Sequence, residues 1–133
     1  MPGSFFDTNI LLHIASSDTA KAERAEALIR HGGTISVQVL NEISHVARRK
    51  HLLDWAELHV FLGLLRSLLT VVPLTTDTHE LGLRLAERYR FSTYDAMILA
   101  AALLAGCDTL WSEDMQDGQI IEGRLRISNP APP

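Results

Sequence analysis

Short apolar runs alternate along this chain with longer stretches in which apolar residues recur every three or four positions. Ser4-Phe5-Phe6 has strand character and is closed by Asp7, after which Ile10, Leu11 and Ile14 make a brief helical stripe. From Thr19 to His31, Ala, Glu, Arg and Leu dominate and Gly32-Gly33 supplies a stop, which predicts a helix. Thr34 to Val37 reads as a buried strand. A helix is predicted over 38–50, with Leu40, Ile43, Val46 and Ala47 as its apolar stripe. A longer helix follows from Asp54 to about Leu69, then a strand from Thr70 to Leu74, and helix-forming residues return from Thr78 to Tyr89. Phe91-Ser92-Thr93 breaks the pattern before Ala96 to Ala105, which is apolar nearly all round and so predicts a central buried helix. Thr109-Leu110-Trp111 is a short strand, Leu125-Arg126-Ile127 a last edge strand, and the end from Ser128 onward is expected to fray.

This alternation favours a parallel sheet covered by helices on both faces, as one domain over residues 1–128 with a flexible tail at 129–133. Open sheets of that kind place ligands outside the carboxyl ends of their strands. Asp7 and Asp114 closely follow predicted strands, while Glu42 and Asp95 sit early in predicted helices. Each acid has an ordinary explanation. Asp7 reads as an N-cap, Ser92-x-x-Asp95 as a capping box, Glu42 as a solvated residue beside His45, and Asp114 as a turn residue. As a set they are costly: carboxylates held together repel and protonate unless a cation neutralises them. Oxygen-rich acidic clusters on a small α/β scaffold suit Mg²⁺ or Mn²⁺ and phosphate chemistry.

Composition narrows the picture without deciding it. With 133 residues, 47% hydrophobic and 21% charged, the chain has material for one real core and is not of disordered type. The formal charge of −4 requires any nucleic-acid binder to gather its basic residues on one face. Candidates are Arg48-Arg49-Lys50-His51, which also suit a helix C-terminal dipole, and the Arg84, Arg88, Arg90 group near Asp95. Arg88 and Arg90 are the better candidates for guiding a polyanion, because the first group lies far along its helix from Glu42. Cys107, the single cysteine, is expected as a reduced core thiol. The start lacks a basic region before an apolar one, and Leu52 to Leu74 carries Asp54, Glu57, His59 and Arg66, so a soluble, cytoplasmic protein with no membrane partner is expected. That segment's Leu58, Phe61, Leu62 and Leu65 fit either a dimer face or the core, and Trp55 and Trp111 are expected in the core. The histidines show no metal-binding spacing, and there is neither a P-loop nor a dinucleotide fingerprint.

Asp7-Thr8-Asn9, the Glu42 helix, Ser92-Thr93-Tyr94-Asp95-Ala96 and Ser112-Glu113-Asp114-Met115-Gln116-Asp117-Gly118, in that order, resemble PIN-domain proteins. More narrowly, they resemble the VapC-type toxins of bacterial and archaeal toxin–antitoxin pairs. The resemblance implies a three-layer α/β/α sandwich with a central, mainly parallel sheet. It implies an endoribonuclease using one or two Mg²⁺ or Mn²⁺ ions, with Asp7, Glu42, Asp95 and Asp114 as catalytic and metal-holding acids and Asp117 as the rival for the fourth place. Ser112 would match a small hydroxyl residue found before the last acids, and Asn9 would orient Asp7 or a water. RNA as substrate, a homodimer, and a cognate antitoxin whose C-terminal segment covers the acidic groove are implied as partners.

Three alternatives stand beside this one. A phosphoryl-accepting domain or a haloacid-dehalogenase-like phosphatase would need a late lysine, whereas the only lysines are Lys21 and Lys50, and Asp7-x-Asn9 lacks the phosphatase's second acid. A PIN-like module that binds RNA or protein without cutting is opposed by the presence of all four acids.

Overall fold

The computed structural model describes residues 3–131, so Pro132 and Pro133 of the expected tail lie outside the described residues. In chain order the elements are β1 (Ser4–Phe6), α1 (Thr8–Leu12), a 3-10 turn (His13–Ala15), α2 (Thr19–Ile29), β2 (Thr34–Ser36) and α3 (Val37–Arg49). Then come α4 (Trp55–Leu68), β3 (Thr70–Val72), α5 (Thr76–Tyr89), α6 (Thr93–Leu104), β4 (Thr109–Trp111), β5 (Ile120–Ile121) and β6 (Leu125–Ser128). The strands form one sheet in the order β3-β2-β1-β4-β6-β5, parallel except for the β5–β6 pair. With helices covering the sheet, this is a three-layer α/β/α sandwich.

Most of the helices begin where a polar side chain takes over an orphan backbone N–H; α3 is the exception, its N-cap Ser36 making no such bond. Asp54 and Glu57 close a capping box on α4, Thr75 and Thr78 close one on α5, and the Ser92 hydroxyl accepts the Asp95 N–H to start α6. That last bond moves the start of α6 upstream to Thr93. The helix is buried along almost its whole length, from Ala96 to Leu103, as its unbroken apolar sequence requires. It lies close against α5 because residue 82 is glycine: a Cβ there would stand 2.7 Å from Met97 Sδ. Phe5 and Phe6 of β1 are fully buried at the centre of the sheet. Gly33, at φ +148°, brings the β2 entry close to them, since a Cβ would meet Phe6 Cε2 at 2.5 Å.

Several expectations change. Leu125–Ser128 is not the edge strand: it pairs with β4, and Ile120–Ile121 forms the edge outside it through a tight turn. Glu122 and Gly123 both have positive φ there, and Arg124 N–H closes the turn onto Ile121 O at 3.0 Å, the conformation that matches a hairpin's twist. Two strand residues and a Glu-Gly turn carry too little pattern to be seen in advance. Ser128 belongs to β6, and Asn129 N–H donates to Asp117 Oδ1 at 2.9 Å, so the end of the chain is tied down as far as that residue. Val37 opens α3 instead of closing β2. Trp55 is 60% exposed, not core, with the Arg48 guanidinium 4.4 Å from its ring centre. Leu58, Phe61 and Leu65 are buried in the chain's own core, and α4 exposes Val60, Leu64 and Leu68 instead. Among the described residues no helix is long and apolar enough to cross a membrane.

Candidate active site

From β1 the chain builds outward through β2 to β3 on one side, and β4 adds to β1 on the other. The sheet's order therefore reverses between β1 and β4, and at such a switch point the connections diverge and leave a crevice beyond the carboxyl ends of the strands. Asp7 stands at the end of β1 and Ser112 to Asp114 at the end of β4, held together by Asp7 N–H on Trp111 O at 3.0 Å.

Asp7 is both a cap and the centre of this crevice. Its Oδ1 accepts the Thr8 N–H at 2.7 Å. Its Oδ2 accepts the Ser112 hydroxyl at 2.7 Å and the Asn9 amide at 3.2 Å. Ser112, fully buried, also accepts the N–H groups of Asp114 and Met115, and so shapes the loop after β4. Asn9 spans the crevice: its Nδ2 also donates to Asp114 Oδ2 at 3.0 Å, and its Oδ1 accepts Glu113 N–H at 3.2 Å. Glu113 in turn pairs with His13 at 2.8 Å.

Glu42 reaches the same place from one turn into α3. Thr8 Oγ1 donates to its Oε1 at 2.9 Å and Gln38 Nε2 to its Oε2 at 2.7 Å, so both oxygens are fixed. Those bonds displace the expected pairing with His45, which instead lines the adjoining cleft. Asp95 faces Glu42 from the first turn of α6. Gln38, Glu42, His45, Tyr94 and Asp95 wall a cleft of about 620 Å³, into which Tyr94 presents a ring 67% exposed.

The acids act on one another. Only 4% exposed, Asp7 is pushed up from 3.8 to about 6, chiefly by burial. The Ser112 and Thr8 bonds work against that rise, and the charges of Asp95 and Glu42 add to it. Asp95 is also raised, first by burial and then by Glu42, with a smaller push from Asp114, while its Ser92 bond opposes the rise.

Thus Asp7, Glu42, Asp95 and Asp114 come together, with Asn9 and Ser112 between them. Asp117 does not join: it is exposed and accepts from Asn129. Arg88 is held at 2.8 Å by Glu122 in the β5–β6 turn, and exposed Arg90 takes a left-handed conformation (φ 64°) in the link between α5 and Asp95's helix. Thr8, Gln38 and Tyr94 were not singled out in the sequence. Gln38 had a signal, standing one helical turn before Glu42 on the same face.

The donors suit a hard cation in kind, being all oxygen, and the raised carboxyls at Asp7 and Asp95 register charge that such an ion would neutralise. Ser36 Oγ, at the carboxyl end of β2, is buried without a partner among the described residues. No group of three His, Cys, Asp or Glu side chains among the described residues is placed to hold a metal by itself. An ion that keeps several waters, as Mg²⁺ does, would need only one or two of these carboxylates directly.

A small parallel α/β sandwich with four acids gathered at its switch point defines a recognisable class of domain. The PIN domain family matches residues 4–116, and this chain belongs to that family. No curated protein sequence matches it. Among solved structures it is similar to a toxin–antitoxin complex from Klebsiella pneumoniae, at 24% identity over 96% of this chain and 98% of that one, with a TM-score of 0.74. It is similar to VapC20 of Mycobacterium tuberculosis, a toxin described as cleaving the sarcin–ricin loop, at 19% identity, 91% and 98% coverage and a TM-score of 0.71. It also resembles VapBC2 of Rickettsia felis, a structure with a promoter DNA fragment, at 17% identity, 95% and 97% coverage and a TM-score of 0.68. At these identities the likeness shows the fold.

Proposed function

We propose that the chain is a metal-dependent endoribonuclease that hydrolyses RNA phosphodiester bonds, and that it serves as the toxin of a type II toxin–antitoxin pair that inhibits translation. The observation that carries this is the mutually repelling acid set at the sheet's switch point, built around the buried Asp7, a charge arrangement that calls for a cation in a family of nucleases. Asp7 and Asp95 would hold a Mg²⁺ or Mn²⁺ ion, with Glu42 and Asp114 beside them for its waters or for a second ion. Bound there, the metal supplies charge neutralisation and Lewis acidity at the scissile phosphate.

The protein's own contribution is preorganisation. Ser112 and Asn9 fix Asp7, Thr8 and Gln38 fix Glu42, and no side chain needs to act as a nucleophile. Asn9 keeps Asp7 and Asp114 a set distance apart. Tyr94 offers a face on which a base can stack beside Asp95. Arg90 and Arg88 would take the phosphate backbone on the α5 side of the site. A cognate antitoxin, a homodimer and a cytoplasmic location follow from the VapC-like reading, and the neighbours solved as toxin–antitoxin complexes support the first of these.

Beside it stands a second reading, a PIN-like module that binds RNA or protein without cutting. Incubating total RNA with the purified protein in Mn²⁺ or Mg²⁺ separates the two. Fragments are expected with the metal, and none with EDTA or with Asp95→Asn, a half-buried position whose replacement keeps the Ser92 cap. Equal cleavage by Asp95→Asn would sink the nuclease assignment, and RNA binding without cleavage by folded, antitoxin-free protein would favour the second reading.

A further inference from the structure

A second cleft, of about 560 Å³, opens beside the first and shares Val46 with it. Its walls include Asn9, His13, Ser16, Lys50 and His51. Asn9 is the side chain that donates to Asp7 and Asp114, so this cleft begins one residue away from the acids. Both clefts run along α3, where Gln38, Glu42, Val46 and Lys50 recur at every fourth position and so lie in one row. Eight residues separate Glu42 from Lys50, about 12 Å along the helix axis, or roughly three stacked nucleotides at about 3.4 Å each.

The basic residues around this cleft divide by task. Arg48 is occupied with Leu53 O at 3.0 Å and with the Trp55 ring. His13 is occupied with Glu113. Lys50 and His51 are exposed, line the cleft and make no ion pair among the described residues. Their backbone is fixed: His51 has φ 54°, and Leu52 N–H closes back on Ala47 O at 2.9 Å, a helix-ending motif that sets where both side chains leave the turn. A pair of helix-dipole partners would need no cleft; these two stand in one that leads to the acids. Arg88 has its own carboxylate in Glu122, which leaves it less free than Lys50 to take a phosphate.

Resting on the nuclease reading, we propose that this second cleft carries the phosphate backbone of the single-stranded RNA as it leaves the acidic crevice, with Lys50 and His51 as its anionic-ligand contacts. The acids hold the scissile phosphate through a cation, and the strand then continues along α3 to the Lys50 ammonium and the His51 ring.

The test is equilibrium binding of a labelled, randomised single-stranded RNA pool to Asp95→Asn protein, with and without Lys50→Ala, across a salt series in EDTA. Each phosphate contact on a single strand contributes about 0.7 to the slope of log affinity against log salt, so losing Lys50 should flatten the slope by about that amount. Arg49→Ala, outside the cleft walls, should leave it unchanged. Tight binding with the same slope in Lys50→Ala would overturn the cleft assignment and leave the nuclease reading standing. Should that same variant also lose affinity for polyglutamate, the cleft would be reassigned to an acidic polypeptide. No RNA binding by Asp95→Asn even at the lowest salt would overturn the cleft assignment, while metal-dependent cleavage by the wild type decides the nuclease reading separately.

Discussion

Asp7 carries a cost that titration can expose. Its carboxyl is raised from 3.8 to about 6 in the folded chain, so ionising it is harder when folded than when unfolded. The sign follows from linkage: below the unfolded value the group is protonated in both states and costs nothing. As pH rises from 3.8 to about 6 the unfolded state ionises while the folded state still holds its proton, so stability falls across that window and levels off above it. At about 1.36 kcal/mol per unit, the shift of 6 − 3.8 amounts to about 3 kcal/mol. Asp7→Asn removes that ionisation, including the part of its cost that comes from the charges of Asp95 and Glu42. The amide must also turn one of its two ends toward the Ser112 and Asn9 donors, so absolute stability is an ambiguous readout and its pH dependence is the clean one. Urea unfolding in EDTA at a series of pH values should therefore show wild type losing about 3 kcal/mol relative to Asp7→Asn between about pH 4 and pH 7. Mn²⁺ at about 100 times its dissociation constant should return about 2.7 kcal/mol to wild type at pH 7 and much less to the variant. Curves that stay parallel in EDTA would refute the buried, repelled carboxyl.

Two further outcomes are expected. Gln38→Leu removes a 2.7 Å donor from Glu42; a bond to a charged group is worth about 1.5–3 kcal/mol, so kcat for RNA cleavage should fall about 10- to 100-fold with the fold intact, and an unchanged kcat would leave Gln38 no positioning role. Gly33→Ala drives a Cβ to 2.5 Å from Phe6 and asks alanine to hold φ +148°; strain and overpacking of about 2–4 kcal/mol should lower the melting temperature by roughly 10 °C, and a shift of only a degree or two would mean that the β1–β2 contact yields freely.

Much of the fold is legible in the sequence because its signals are local. The Phe5-Phe6 run, the all-apolar Ala96 to Ala105 stretch and the stops at Gly32-Gly33 each act over a few residues, and their alternation leaves a parallel sandwich as the simplest way to bury them. The acids Asp7, Glu42, Asp95 and Asp114 stand out for the same reason, as charges at the edges of apolar segments. What the sequence could not supply is which pairs meet, because that depends on contacts between residues far apart in the chain. Ser112 reaches Asp7, Thr8 reaches Glu42 and Asn9 reaches Asp114 only once β4 is laid beside β1 and α3 beside α1. The choice of Asp114 over Asp117 as the acid joined to Asp7 is likewise tertiary, since a backbone N–H from the end of the chain claims Asp117. The short β5 and the exposed Trp55 escape a local reading because a two-residue strand and one stacked arginine leave almost no periodic trace. Local chemistry chose the elements and the acids; long-range packing chose their partners.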